Sequence, residues 1–498
     1  MAALARPAGI PVHASVGLAL PVLVAGLLVG LLPPLFGAAL VFGAIVLVIG
    51  IARPLLPLYV LGLAAPLGSV REIRAGGIGL SPTEALVVLA LLSYGLALLA
   101  RREADGKLSL WSIPTALFVG VAVLSLSWAP DLVAGVKEVL RWVELAAAFG
   151  LVVTLVRSEA QARLLLTIVL VGGLAEGLLG AAQFLLRIGP PGFLIGRFLR
   201  AYGTFGQPNP YGGYLAMVLP VALAVAWTFL FGWLRTAPWR DQARLSTTSL
   251  RPLAWPLFAG LVLVVVAAGL AMSLSRGAWL GVVVGLAAAM MAAGRKTMAA
   301  VLLGLLVVVL VALMGAFDVL PATVAERLSL ISQYFGVFDV RSVVLSSENW
   351  PIVERMGHWQ TAWEMWLDHP WLGVGAGQYP VLYPDYMMPG WADPLGHAHN
   401  IYLNVAAEMG GVGLAVYLLM VGSWLVLALR VVRRSARPLA RAIGLGVLGV
   451  VVASATHNLF DNLYVAGMNV HVGVLIGLVA AAPHLRHPAR LGPGESAA

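Results

Sequence analysis

The strongest constraint in this sequence is a long series of apolar runs, each about as long as a helix that crosses a bilayer. A spanning helix needs about 20 mostly apolar residues, and its backbone must find its hydrogen bonds within the helix. The candidate runs lie at about residues 15–32, 35–51, 54–68, 82–100, 113–128, 136–156, 163–186, 211–234, 253–273, 277–294, 297–316, 399–429, 439–458 and 462–482. The second and third are short and lie among prolines (Pro33, Pro34, Pro54 and Pro57), so they form either half-spans or one broken hairpin. The sequence therefore predicts an all-α, polytopic membrane bundle of 12–14 transmembrane helices.

The composition excludes the main soluble classes of protein. Only 11% of the residues are charged and 60% are hydrophobic, with a mean hydropathy of +0.94, whereas a soluble domain is about 25% charged. These values exclude a cytosolic globular enzyme, a disordered protein and a nucleic-acid-binding protein. The chain has no cysteine, so disulfides, zinc–thiolate sites and a cysteine nucleophile are excluded as well.

The basic residues predict how the chain is oriented. Lysine and arginine collect in short cytoplasmic loops of membrane proteins, and here the loops 235–251 and 430–441 are rich in arginine. If these loops are cytoplasmic, both termini are cytoplasmic and one large loop lies outside a multi-pass inner (plasma) membrane protein. The predicted organisation is N-terminal transmembrane helices at 1–316, an extracytoplasmic loop at 317–398, C-terminal transmembrane helices at 399–482, and a cytoplasmic tail at 483–498.

The large loop contains one predicted amphipathic helix, Arg355–Asp368. Trp359, Trp363 and Trp366 recur at helical spacing, and Pro370 follows the helix. Tryptophan is enriched where membrane proteins meet the headgroups. Two compatible interpretations are open: the loop anchors the chain at the interface, or it forms a platform that closes over a substrate.

Polar residues gather at the outer ends of the predicted spans, where ionisable groups are costly and are functional candidates. Arg200 and Asn209 lie in a turn-rich segment before the 211–234 run, which is either a plain hairpin or a face for a polar ligand. Arg276 sits in a tight turn between two apolar runs. It either reaches toward lipid phosphates or forms an anion site, because its planar guanidinium matches phosphate oxygens.

A third polar cluster begins the 399–429 run. Asn400, Asn404 and Glu408 recur at four-residue steps, so they share one helix face, which should point into the bundle. His397 and His399 could bind a metal, but two histidines are too few ligands for a zinc site. A structural role for His399 stays open beside a catalytic or substrate-contacting one, and we predict no metal.

A fourth cluster lies in the turn between the last two runs. Asp461 stands there close to His457 and could orient a histidine or hold an arginine, although a plain polar turn is an equal alternative. No nucleotide-binding motif is present. The four clusters together suit a lipid-linked, anionic substrate: arginines can stabilise a diphosphate leaving group, and a histidine can remove a proton from an attacking hydroxyl.

In these polar clusters the chain resembles a known family, the O-antigen ligase/polymerase superfamily of membrane glycosyltransferases. The family signature is a histidine, then Asn, Ser or Gln, nine residues, a glycine, two residues and a glycine. It fits His399, Asn400, Gly410 and Gly413. Further segments that resemble family hallmarks are 203–209, 275–277 and 369–375, and the resemblance covers roughly 195–470.

The resemblance implies a GT-C-like fold and a metal-independent, cofactor-free activity. Ligases of this type transfer a glycan, with inversion, from undecaprenyl diphosphate to a sugar hydroxyl on lipid A–core. By position, His399 matches the proposed general base, Arg276 and Arg200 match arginines that hold the diphosphate, and Asp461 matches an acidic partner. Arg197 is an alternative to Arg200.

The resemblance and the four clusters together define one predicted site, which requires its members to meet at one end of the bundle. The catalytic pair is His399 and Asp461. The candidate substrate-binding residues are Arg200, Asn209, Arg276, Arg355, His397, Asn400, Asn404 and Glu408. The expected partners are a polyprenyl-diphosphate-linked glycan donor, a glycan or lipid A–core-like acceptor, and membrane lipids, but no nucleic acid.

Alternative functions remain open on the sequence. A surface-polysaccharide (O-antigen or exopolysaccharide) polymerase and a protein O-glycosyltransferase would use the same motifs. A lipid-linked sugar transporter could use the same arginines but needs polar groups along a full path, for which Glu176 and Gln183 are the main candidates. A purely structural protein would not need His399, Asn404 and Glu408 on one face.

Overall fold

The structure is a computed structural model of the 498-residue chain. It describes residues 34–68, 73–75, 78–101, 109–236, 251–316, 339–345 and 349–486. The first predicted span, 15–32, lies outside the described residues, as do most of the 235–251 loop, part of the large outer loop and nearly all of the predicted tail.

The described chain is almost entirely helical. The α-helices are α1 (Pro34–Ala52), α2 (Leu55–Leu61), α3 (Ala64–Leu67), α4 (Pro82–Arg101), α5 (Ile113–Ser125), α6 (Leu132–Leu155), α7 (Glu159–Leu186), α8 (Pro208–Thr236), α9 (Ala254–Met272), α10 (Arg276–Ala293), α11 (Arg295–Ala316), α12 (Trp350–Asp368), α13 (Tyr379–Tyr386), α14 (Ile401–Arg434), α15 (Pro438–His457) and α16 (Met468–Ala481). Short 3-10 turns occur at Leu110–Ser112, Leu126–Trp128, Pro191–Phe193, Arg251–Leu253, Val340–Ser342 and Ala482–His484.

Two small antiparallel hairpins complete the described elements. In the first, β1 (Ile73–Ala75) pairs with β2 (Ile78–Leu80). In the second, β3 (Leu194–Ile195) pairs with β4 (Phe198–Leu199), just before the segment that carries Arg200. The chain forms two compact units, Met1–Pro57 with Val88–Ala104, and Leu58–Val87 with Asp105–Ala498. All of the candidate site residues belong to the second unit.

The prediction of an all-α, polytopic membrane protein is confirmed. Among the described residues, eight helices are long and apolar enough to cross a membrane: Pro82–Leu99, Leu110–Trp128, Glu159–Leu186, Pro208–Arg235, Ala254–Met272, Arg276–Ala293, Ile401–Arg434 and Pro438–His457. Shorter apolar helices lie at Gly43–Ala52 and Met468–His484. The total of 12–14 spans stays a prediction.

The 54–68 run is not one continuous helix. It forms α2 and α3, which contain Pro57 and Pro66. Proline lacks the backbone N–H that continues a helix and clashes with the preceding turn. The 54–68 run is apolar enough for a span, but its prolines divide it into two short helices.

Helix α14 is interrupted at Gly410, where the backbone takes φ 65° and ψ −169°. The outer-loop segment 370–375 lies against this interruption and forms backbone hydrogen bonds with it. The backbone N–H groups of Val374 and Gly375 donate to the carbonyls of Ala407 and Glu408, at 3.0 and 2.7 Å. From α14, Gly411 N–H donates to Pro370 O at 2.8 Å. The break thus attaches the outer loop to the helix that begins beside His399.

The close crossing of α10 and α15 depends on three glycines of α10 at four-residue spacing, Gly277, Gly281 and Gly285. A Cβ added at Gly281 would lie 2.6 Å from Ala453 O, and one at Gly277 would lie 2.8 Å from Cδ2 of His457. Small residues at this spacing let membrane helices approach closely. The crossing places Arg276, at the start of α10, at the same end of the bundle as His457, at the end of α15.

We expect Gly281→Leu to destabilise the protein by about 1–3 kcal/mol, because the added side chain overpacks the α10–α15 crossing. The measurement is the thermal unfolding midpoint in detergent. Gly260→Leu in α9 is the matched control, since no heavy atom lies within 4 Å of a Cβ added there. Both changes improve helix propensity, so equal midpoints for the two variants would contradict the role given to the crossing.

Candidate active site

The centre of the candidate site is a histidine beside a buried carboxylate. His399 directly precedes Asn400, the N-cap of α14, and has a left-handed φ of 51°. Its Nδ1 lies 3.5 Å from Oδ1 of Asp461, which stands in the turn between α15 and α16. This distance is long for a hydrogen bond, yet it leaves no room for solvent between the two groups. The sequence prediction that Asp461 accompanies a histidine matches this geometry.

A second histidine stabilises this pair. The backbone N–H of His399 donates to Nδ1 of His397 at 3.1 Å, and Nε2 of His397 lies 3.9 Å from Oδ1 of Asp461. Burial, with the nearby His399, lowers the pKa of His397 to about 4. His397 is therefore neutral near pH 7, and its Nδ1 is free to accept the hydrogen bond.

Asp461 is ionised in this setting. Burial alone would raise its pKa, but His399, His397 and His457 together hold the pKa below its usual range. Its Oδ1 also accepts a hydrogen bond from the backbone N–H of Asn462 at 2.9 Å. An ionised carboxylate facing Nδ1 favours the tautomer in which Nδ1 carries the proton, and Nε2 of His399 is then the basic nitrogen.

Arg200 is held in a defined position. Its Nε donates to Ser273 O at 2.8 Å, and its Nη2 donates to Oδ1 of Asn209 at 2.7 Å. Burial, with the charges of Arg355 and Arg276, lowers the pKa of Arg200 to about 10, so the group stays charged near pH 7. Arg197 lies exposed on the β3–β4 hairpin, 5.0 Å from the centre of the Phe198 ring. This geometry favours Arg200 over Arg197 as the arginine that holds an anionic substrate.

Glu176 and Gln183 of α7 anchor the segment that carries Arg200. Oε1 of Gln183 accepts from the N–H of Gly203 at 2.7 Å, and its Nε2 donates to Gly203 O at 2.9 Å. Glu176 accepts from the backbone N–H and the hydroxyl of Thr204, at 3.0 and 2.8 Å. These contacts account for two buried polar groups that the sequence left open for a transport path.

Two arginines from other parts of the chain act electrostatically on Arg200. Arg276 is exposed at the first turn of α10, and Arg355 lies half-buried on α12. Nη1 of Arg355 donates to Pro351 O at 3.0 Å, while its buried Nε has no hydrogen-bond partner in the described part of the chain. The charges of Arg276 and Arg355 both act on Arg200. Positive charges that act on one another in this way favour a bound anion.

The polar stripe of α14, formed by Asn400, Asn404 and Glu408, makes hydrogen bonds within the chain. The stripe is buried, as expected, and its members bind backbone groups of this chain as well as one another. Asn400 caps α14 by accepting from the N–H groups of Tyr402 and Leu403. Asn404 accepts from Ala398 N–H at 3.0 Å, and Glu408 accepts from the N–H of Tyr379 at 3.2 Å.

These contacts show what four of the predicted substrate-binding residues bind within the chain itself. The oxygens of Asn400, Asn404 and Glu408 are engaged with the backbone around His399 and in the outer loop. Asn209 is likewise engaged with Arg200. All four can position neighbouring groups through these contacts, and their predicted contacts with the substrate stay a prediction. The i+4 spacing indicated the correct face of α14 but not what lies against it.

Two site neighbours on α12 were not predicted as site residues. Trp359 donates from Nε1 to the backbone carbonyl of His399 at 3.1 Å. The buried ring of His358 lies 5.7 Å from that of His399, and its Nδ1 shares a 2.9 Å hydrogen bond with Tyr379 OH. Burial, with His399 and His397, lowers the pKa of His358 to about 4. The tryptophan spacing indicated the helix, but no local signal indicates that α12 packs against His399.

A metal site at this position can be tested against the residues present. His397, His399 and Asp461 offer ligand atoms that all lie within 4.8 Å of one another, and three such ligands are the usual number in catalytic zinc sites. The positive charges of Arg141 and Arg355, however, both act on His397 and oppose a cation. The sequence prediction of a metal-free site stays a prediction.

Comparison with known families matches residues 259–418 to the family model described as O-antigen ligase. The matched range contains Arg276, Arg355 and His399, whereas Arg200 and Asp461 lie outside it. A search of curated proteins found no match. The family match agrees with the apolar helices and with the signature at His399. The chain is therefore a polytopic membrane protein whose residues 259–418 are similar to the O-antigen ligase family.

Proposed function

We propose that this protein transfers a glycan from a polyprenyl diphosphate to a hydroxyl group of an acceptor sugar, as an O-antigen ligase does. The observation that carries the proposal is the pairing of His399 with the ionised Asp461 at the end of the bundle where Arg276 begins α10. A base and an anion-binding group are the two functions that this reaction requires of the protein.

His399 acts as the general base. The acceptor hydroxyl donates its proton to Nε2 of His399 while its oxygen attacks the anomeric carbon of the donor sugar. Asp461, facing Nδ1, stabilises the imidazolium that forms, as the carboxylate does in other histidine–carboxylate pairs. His397 and Trp359 hold the backbone of His399 from both sides, at its N–H and its carbonyl, so the imidazole keeps its orientation.

The arginines stabilise the leaving group. As the new glycosidic bond forms, the bond from the anomeric carbon to the diphosphate oxygen breaks, and the electron pair stays with the diphosphate. Arg200 binds the diphosphate, and Arg276 donates charge-assisted hydrogen bonds to the oxygens on which negative charge grows. Attack from the opposite side inverts the anomeric centre. Asn209 and Ser273 fix the Arg200 guanidinium before the donor binds.

The proposed site faces the extracytoplasmic side of the inner membrane, and both termini are cytoplasmic. The arginine-rich loop 430–441 between α14 and α15 supports this orientation through the positive-inside rule. His399 and Arg276 stand at the helix ends opposite to this loop, beside the outer-loop helix α12. A lipid-linked donor in the outer leaflet would reach the site sideways, between helices.

The test is a transfer assay with full-length protein in detergent or liposomes. Undecaprenyl-diphosphate glycan is the donor, and lipid A–core, a second lipid-linked repeat unit and an acceptor protein are offered in turn. A new glycosidic bond to lipid A–core supports the ligase, whereas bonds to the other two acceptors identify a polymerase or a protein O-glycosyltransferase. Movement of labelled donor across liposomes without any new bond would instead identify a transporter and overturn the proposal.

We expect the transfer activity to be unchanged by EDTA. The arginines supply the charge that a metal would otherwise bring to the leaving group. The measurement is the initial rate after prolonged dialysis against EDTA and again after addition of Zn²⁺ or Mg²⁺. A loss of activity that one of these ions restores would show that His397, His399 and Asp461 bind a metal and that the proposed base mechanism is wrong.

A further inference from the structure

An open groove of about 460 Å³ runs along the outer-loop helix α12, beside the candidate active site. Its lining combines two tryptophans, two methionines and a leucine with amide, carboxylate and guanidinium groups. The lining residues that matter here are Asp339, Arg341, Trp359, Gln360, Trp363 and Glu364. The mechanism above uses only Trp359 among them, and only for its contact with the His399 backbone.

This lining has the chemistry of a carbohydrate site. A sugar ring offers apolar C–H faces, which aromatic faces cover, and a rim of hydroxyls, which planar polar side chains bind. Trp363 is 46% exposed although it is a large aromatic side chain, and Glu364 is exposed beside it. Lipid tails would not favour a groove that also presents Asp339, Arg341 and Glu364.

The groove is continuous with the reaction centre through α12. Arg355, Trp359 and Trp363 follow one another at four-residue steps, so they lie along one side of the helix. Arg355 acts electrostatically on Arg200, Trp359 donates to His399 O, and Trp363 lines the groove. At 1.5 Å per residue, about 12 Å separates the first from the last. The helix therefore connects the arginines, the imidazole and the groove in that order.

We propose that this groove binds hexose units of the glycan whose reacting end lies at His399, with a ring stacked on Trp363 and hydroxyls bound by Gln360 and Glu364. The inference rests on the proposed glycan transfer and names a subsite for it. The bound rings belong either to the acceptor or to the donor, since both present the same hexose chemistry. The KM values for donor and acceptor, measured separately, distinguish the two.

The kinetic test uses full-length Trp363→Ala and Glu364→Gln in the transfer assay, with donor and acceptor varied independently. We expect KM to rise about tenfold for the substrate whose rings occupy the groove, the ratio that 1.4 kcal/mol gives, with kcat at saturation nearly unchanged. Trp363→Phe should restore part of the loss. A change in the KM of acceptor alone assigns the groove to the acceptor, and a change in the KM of donor alone assigns it to the donor.

Trp371→Ala is the matched control, because Trp371 is 74% exposed on the same outer loop but does not line the groove. Its KM values should equal those of the wild type. Unchanged KM values in both groove variants overturn the proposal. So does an equal effect of Trp371→Ala, which would indicate that the outer-loop tryptophans act by anchoring the loop to the membrane.

A binding measurement separates failure of the groove from failure of the proposed function. Two lipid-free probes are used, the core oligosaccharide of lipopolysaccharide and the glycan released from undecaprenyl diphosphate, with binding followed by saturation-transfer NMR. Wild type and His399→Ala should bind one of them, and Trp363→Ala should not. Binding by all three proteins, or by none, rejects the groove whatever the transfer assay shows. Binding that only Trp363→Ala loses, without any transfer activity, keeps the groove and rejects the transferase.

Discussion

Replacing His399 by alanine is expected to lower the rate of glycan transfer by about 10²–10⁴-fold, the usual contribution of a general base. The variant keeps the anion-binding arginines, so donor binding should persist while the acceptor hydroxyl loses its proton acceptor. The measurement is kcat with saturating donor and acceptor. We expect KM for the donor to change little, because His399 acts on the attacking group and not on the diphosphate.

Two further variants make this test specific. His484→Ala is the matched control, since this histidine is exposed in the 3-10 turn after α16, far along the chain from the site, and it should transfer at the wild-type rate. Asp461→Asn keeps the shape of the side chain but removes the charge facing Nδ1, so it should show an intermediate loss. If His399→Ala is present in the membrane at normal levels and transfers normally, another group removes the proton.

Much of the fold could be predicted because hydropathy is a local property of the chain. The runs at 163–186 and 277–294 correspond to α7 and α10 within a few residues, since an apolar segment of that length has few alternatives to a helix. The interruption of α14 at Gly410 could not be predicted in this way. It exists because segment 370–375 supplies backbone partners for the opened turn, and that partner is distant in the sequence.

The candidate site was predictable in part, because its residue types can be read directly from the sequence. The motif at His399 and the acid at Asp461 were visible as residue types, and the structure brings them within 3.5 Å. What lies against each polar group depends on packing, so Glu176 and Glu408 could be identified as unusual but not explained. Both prove to bind backbone groups of neighbouring segments. Polar residues in a bundle thus divide into those that secure the site and those that face it, and only contacts separate the two.

The second large effect is expected at the arginines. Arg276→Ala should lower kcat by about 10²–10³-fold, by analogy with the 2.7–4 kcal/mol that one oxyanion-hole donor contributes. Arg276→Lys should recover part of the rate, because lysine keeps the charge but lacks the planar fork that matches two phosphate oxygens. Arg200→Ala should lower kcat/KM for the donor as well. Arg197→Ala, three residues away on the exposed hairpin, is the matched control and should behave as wild type.

The division of each loss between kcat and KM tells when an arginine acts. An arginine that binds the diphosphate equally in the donor and in the transition state affects KM alone, whereas one that meets the charge developing as the bond breaks affects kcat. Arg200 is fixed in advance by Asn209 and Ser273, so we expect its loss to appear largely in KM for the donor. Arg276 is exposed at the first turn of α10, and its loss should appear in kcat. Wild-type kinetics in both variants would mean that the diphosphate binds elsewhere.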